Sequence, residues 1–97
     1  MIISFGNRLA KDLVENNYSK AIKMFPQEIV KAARKKLNML HAAKEVKDLT
    51  APPGNRLEKL GGDLKGFYSI RINDQWRVVF KFENNNALEV QVEDYHS

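Results

Sequence analysis

In the last third of the chain, apolar side chains fall on every second position in three successive runs. These are Tyr68, Ile70 and Ile72; then Trp76, Val78, Phe80 and Phe82; then Leu88, Val90 and Val92. A strand sends alternate side chains to opposite faces, so this spacing demands strands with one buried and one open face. Polar residues at Asn73–Gln75 and Asn84–Asn86 supply the turns between them. Residues directly opposite in an antiparallel pair share a face. To keep apolar opposite apolar, Ile72 must face Trp76 and Phe82 must face Leu88, each across a three-residue loop. The buried rows become Tyr68–Phe80–Val90 and Ile70–Val78–Val92. On the open face, Arg71 lies opposite Arg77, Arg77 opposite Glu93, and Lys81 opposite Glu89. Two arginines side by side repel unless something anionic joins them, and both Glu93 and a phosphate are candidates.

Upstream the period is that of helices. Met1–Phe5 is short and apolar and fits an edge strand. Asn7 suits the cap of a helix running to about Asn16, with Leu9, Leu13 and Val14 as its apolar stripe. Pro26 suits the first turn of a second helix, with Glu28 near its positive end. Ile29, Ala33, Leu37 and Leu40 form that helix's buried face, and Lys31, Arg34, Lys35 and Lys47 its opposite face. Pro52, Pro53 and Gly54 must break it. Helices first and strands afterwards predict an α+β domain, with two N-terminal helices packed on a small antiparallel sheet. A chain of 97 residues suits one domain spanning residues 1–97.

Several chemistries have little to work with. The chain has no cysteine, which removes disulfides and thiolate metal sites. His41 and His96 lack metal-ligand spacing, so no metal or other cofactor is expected. Gly61-Gly62 reads as a turn and not as a phosphate-cradling loop. Arg8 follows only a short apolar stretch, and no apolar run approaches the roughly 20 residues that cross a bilayer. A cytoplasmic protein without membrane contact is expected.

Net charge is +4, unevenly placed. From Lys20 to Lys47 there are eight bases and two acids, whereas residues 83–97 hold four acids and no lysine or arginine. The basic run reads either as a solvated helix face or as a surface for RNA or an acidic partner. Close to the C-terminus stands Glu93-Asp94-Tyr95-His96, and parity puts Tyr95 on the same face as Arg77, Arg71 and Glu93. Carboxylate, phenol, imidazole and guanidinium are the groups that metal-free RNA cleavage needs. A ribose 2′-OH must lose a proton, the phosphorane oxygens must be neutralised, and the 5′-oxygen must gain a proton.

Pro52-Pro53-Gly54-Asn55-Arg56-Leu57-Glu58-Lys59-Leu60, Gly62-Asp63, Tyr68 through Phe80, and Asp94-Tyr95-His96 resemble the HigB group of the RelE/ParE toxin superfamily. Met1–Phe5 is similar to that group's first strand. The resemblance covers nearly the whole chain and is densest over residues 52–96. It implies a toxin of a type II toxin–antitoxin system that cuts mRNA on the ribosome and so inhibits translation. It also implies a helix-turn-helix antitoxin as partner, through which the complex binds operator DNA. Carried over by position, Arg77 stabilises the scissile phosphate, and Asp94, Tyr95 and His96 form the catalytic C-terminal cluster. Glu58 falls where some relatives carry an active-site histidine. Arg71, Arg56, Lys59, Lys65 and Asn73 are the expected RNA-binding residues. Gly61 departs from a lysine found in several members, and Asn73 from an arginine. Two other functions stay open at this point. A ParE-like gyrase inhibitor would not need the tyrosine–histidine terminus, and a basic RNA-binding domain would bind without cutting.

Overall fold

A computed structural model describes residues 1–17 and 19–94. Its elements run α1 (Arg8–Glu15), α2 (Lys20–Lys23), α3 (Gln27–Ala42), β1 (Glu58–Lys59), β2 (Tyr68–Arg71), β3 (Trp76–Glu83) and β4 (Asn86–Asp94). The strands form one antiparallel sheet in the order β1-β2-β3-β4. The N-terminal segment lies along the outer side of β4, with parallel bridges from Ile2 to Ala87 and from Phe5 to Val90. The two expected helices are α1 and α3, and α2 is a single extra turn capped by the Ser19 hydroxyl.

The α1 start is tied to the sheet by one side chain. The Asn7 carboxamide oxygen accepts from the Ala10 amide at 3.1 Å and from the Val92 amide at 3.3 Å. Its Nδ2 donates to the Val92 carbonyl at 3.0 Å and to Glu93 Oε1 at 3.2 Å. One asparagine thus caps a helix and pairs with β4. Beside it Gly6 donates its amide to the Val90 carbonyl at 2.8 Å. A Cβ on Gly6 would sit 2.8 Å from the Glu89 carbonyl oxygen, a backbone atom that cannot swing aside. Gly6→Ala is therefore expected to cost roughly 1–3 kcal/mol, the usual scale of overpacking, as a drop in urea midpoint with unchanged slope.

Helix α3 begins just after Pro26, whose carbonyl accepts from Ile29 and Val30. Its buried residues are Val30, Ala33, Leu37 and Leu40. Ile29, expected in that stripe, is only half-buried, so the face is turned by one residue at the helix start. The helix also ends earlier than its basic pattern suggested. Ala43 is extended, and Lys47 lies in a separate 3-10 turn over Val46–Thr50.

Both apolar rows form on the helix-facing side of the sheet. Tyr68 pairs with Phe80, Ile70 with Val78, and Val78 in turn with Val92. Leu37, Leu40, Ile70, Val78, Phe80 and Val90 are the heart of the core. The register of the second hairpin differs from expectation at its tip. Phe82 faces Ala87, not Leu88, and Glu83 faces Asn86. The loop is the two residues Asn84 and Asn85, both at positive φ (49° and 65°), which the primed hairpin turns require and asparagine tolerates. A bulge in β4 opposite Phe80, with Glu89 at φ 49°, restores the expected pairing from Val79–Gln91 onward. Lys81 consequently faces Leu88, yet its Nζ still reaches Glu89 Oε2 at 3.1 Å.

Two carboxylates hold local turns. Burial pushes the Asp12 carboxyl up, but hydrogen bonds from Asn17, Ser19 and Arg8, and the Arg8 charge, outweigh it and leave the pKa below 3.8. Asp48 is also lowered. The Glu45 and Lys44 amides, each at 3.0 Å, lead; burial opposes them; the Lys47 and Lys44 charges add to them. Both groups therefore contribute stability that is fully present above the ordinary aspartate range and is lost as pH falls through the folded values. Urea midpoints should drop as pH falls below about 5, and Asp48→Asn should flatten that drop.

Candidate active site

The face of the sheet turned away from the helices carries Ser69 and Arg71 from β2, Arg77, Val79 and Lys81 from β3, and Gln91 and Glu93 from β4, by strict alternation. At its centre Arg77 is 5% exposed. A guanidinium so far from water needs partners on several sides. Its Nε donates to Ser69 Oγ at 2.9 Å, and one terminal nitrogen donates to the Arg56 carbonyl at 2.6 Å. The other terminal nitrogen lies 3.8 Å from Glu58 Oε1. Strand β1 places Glu58 there because Glu58 is in register with Ser69, which shares the Arg77 face. Arg56 contributes its backbone. It adopts φ 44°, and that left-handed turn aims its carbonyl at the guanidinium, while its side chain is exposed.

Arg71 and Arg77 lie side by side, as their parity requires. The carboxylates that join them are not the expected one. Arg77 meets Glu58, and Arg71 pairs with Asp74 in the adjoining turn. Glu93 instead accepts from Asn7. The positive field extends onto α3. Lys36 is held below the usual lysine range by burial first, then by the charges of Lys35 and Arg71.

The remaining expected residues spread around this centre. Asn73 closes the β2–β3 turn, its Oδ1 accepting from the amides of Gln75 at 2.9 Å and Trp76 at 2.7 Å. Lys59 is exposed opposite Tyr68, and Lys65 is exposed after the Gly62–Leu64 turn. Asp94 is in register with Trp76, on the other face of β4 from Glu93, and accepts from Gln75 Nε2 at 2.9 Å. Tyr95 and His96 lie outside the described residues.

Ser69 is the site residue that pattern reading passed over. It shares the Arg77 face one step diagonally from it, and a small hydroxyl at that position in a polar row was the available signal.

The family described as the RelE-like toxin of the type II toxin–antitoxin system HigB matches residues 5–96. The chain belongs to this HigB-like family. Toxin HigB-1 of Vibrio cholerae serotype O1 is 36% identical over 95 residues, spanning 98% of both chains. Endoribonuclease HigB of Proteus vulgaris is 31% identical over 96 residues, spanning 99% of this chain and 100% of the relative. Among solved structures, the YoeB–YefM complex from Staphylococcus aureus is similar in fold, with a TM-score of 0.64 at 21% identity. That likeness spans 100% of this chain and 99% of the other. The HigB-like chain thus has the helices-on-sheet architecture of a RelE-type toxin. None of its helices, among the described residues, is long and apolar enough to cross a membrane.

Proposed function

We propose that the chain is an endoribonuclease that cuts mRNA on the ribosome without a metal and so inhibits translation. The observation that carries this reading is the Arg77 guanidinium, fixed on the open sheet face by Ser69, the Arg56 carbonyl and Glu58. A preorganised planar donor set suits a phosphate whose oxygens gain charge in the transition state. Family membership and the endoribonuclease activity of the Proteus vulgaris relative support the same class.

Arg77 neutralises the phosphorane. Glu58, on its face of the sheet, takes the proton of the attacking 2′-OH. The 2′-oxygen bonds to phosphorus, the P–O5′ bond breaks, and His96 returns a proton to the departing 5′-oxygen. The products are a 2′,3′-cyclic phosphate and a 5′-hydroxyl. Asp94 fixes the end of β4 through Gln75, and Tyr95, the next residue in the sequence, stacks on a base. Arg71, Arg56, Lys59, Lys65 and Asn73 contact the RNA around the cut. The natural partner is a helix-turn-helix antitoxin whose complex binds operator DNA, and the working compartment is the cytoplasm.

Primer extension on a defined mRNA in a purified translation system tests this. Discrete cuts inside the reading frame, present only with ribosomes, are the expected result. Intact mRNA would overturn the nuclease and turn attention to gyrase.

A further inference from the structure

We propose that the Lys36–Asn55 pair, outside the site itself, is a positioning latch for the Arg77 guanidinium, an inference that rests on the reading of Arg77 given above. Asn55 is fully buried although it is polar and lies between Gly54 and an exposed arginine. Its carboxamide is used on both sides. Nδ2 donates to the carbonyls of Leu49 at 3.1 Å and Ala51 at 3.3 Å, and Oδ1 accepts from Lys36 Nζ at 2.5 Å. The segment from Leu49 to Asn55 is thereby wrapped around one side chain and fastened to α3.

The next residue is the one that touches Arg77. Arg56 turns through φ 44°, and its carbonyl receives the 2.6 Å hydrogen bond from the guanidinium. A backbone carbonyl has no rotamer of its own, so its position is set by whatever fixes the chain on either side. On the N-terminal side that is Asn55, and it is tied to the rigid helix by the short hydrogen bond from Lys36 and by a longer contact of its Nδ2 to the Met39 sulfur at 3.8 Å. Burial and the nearby Lys35 and Arg71 charges disfavour the Lys36 ammonium, and the Asn55 carboxamide oxygen offsets part of that cost by accepting its hydrogen bond. A shift of about an ångström in a residue that aligns the reacting group costs up to roughly 100-fold in rate. The latch lies at the right place to produce such a shift without touching RNA.

Asn55→Ala would also open the loop's own core, so the test falls on Lys36. Lys36→Met keeps the unbranched stem of the side chain and removes the donor; Lys36→Arg restores a donor. On programmed ribosomes, the single-turnover rate at saturation should fall roughly 10- to 100-fold in K36M and recover to within about threefold in K36R. The half-saturating concentration should stay within about twofold in both variants. Independently of activity, exchange of the Arg77 Nε–H with solvent, followed by NMR, should accelerate in K36M and stay slow in K36R. Unchanged rate and exchange in K36M would overturn the latch. So would a raised half-saturating concentration with an intact saturated rate, which would make Lys36 a direct phosphate contact. Should the wild-type chain fail to cut mRNA, the reading of the site falls, and the exchange measurement decides the latch by itself.

Discussion

Arg77→Ala is expected to lower the saturated cleavage rate on programmed ribosomes by roughly 10²–10³-fold, the scale of losing one preorganised donor to a charged transition state. Arg77→Lys should recover little of it. Lysine keeps the charge, but its point-like ammonium cannot meet Ser69 Oγ, the Arg56 carbonyl and Glu58 in three directions of one plane. Both variants withdraw the donor from the buried Ser69 hydroxyl. A moderate stability loss of about 1–3 kcal/mol should therefore accompany the catalytic one. Urea unfolding of the same preparations separates the two effects. Cleavage at the wild-type rate in a folded Arg77→Ala protein would remove the residue from the mechanism.

The largest effect on stability is expected at Phe80. It is fully buried between the helices and the sheet, with its ring 6.0 Å from Tyr68 and 6.5 Å from Phe82, centroid to centroid. Truncating a buried phenylalanine to alanine removes its transfer free energy and leaves a cavity, together about 3–5 kcal/mol. Domains of this size hold about 5–15 kcal/mol in all. Phe80→Ala should thus lower the thermal midpoint by roughly 12–30 °C. A loss below about 1 kcal/mol would mean that the neighbouring rings refill the space.

What the sequence disclosed depended on whether the signal was periodic. The rows Tyr68–Phe80 and Ile70–Val78–Val92, and the Arg71–Arg77 juxtaposition, follow from alternation alone. The Asn7 cap and the helix end at Asn16 follow from residue chemistry. The second hairpin was misread because counting alternation assumes an unbroken ladder. One extra residue at Glu89 and a two-residue turn at Asn84–Asn85 compensate each other, so the pairing at Arg77 came out right from a wrong tip. The carboxylate that meets Arg77 is hidden from pattern reading for a different reason. Glu58 reaches it from a two-residue strand too short to show a period, and the Arg56 carbonyl belongs to the backbone, which carries no side-chain signature. Lys36 was visible only as one base among many until Asn55 was seen to need it.

The pairing of the first residues with the last strand sets when this molecule can fold. Ile2 meets Ala87, Phe5 meets Val90, and Asn7 meets Val92, contacts separated by about 85 positions along the chain. Closing so long a loop is costly until the final contacts repay it, which makes assembly slow and late. During synthesis, the N-terminal segment and the cap of α1 must wait for β4, which follows every other element described. A nascent chain that still lacks β4 has neither its completed sheet nor a settled Arg77 face. An endoribonuclease toxin is in this way kept unformed while it is still being made. A chain ended after Asn85 should show no cooperative unfolding transition, which circular dichroism in urea would reveal at once.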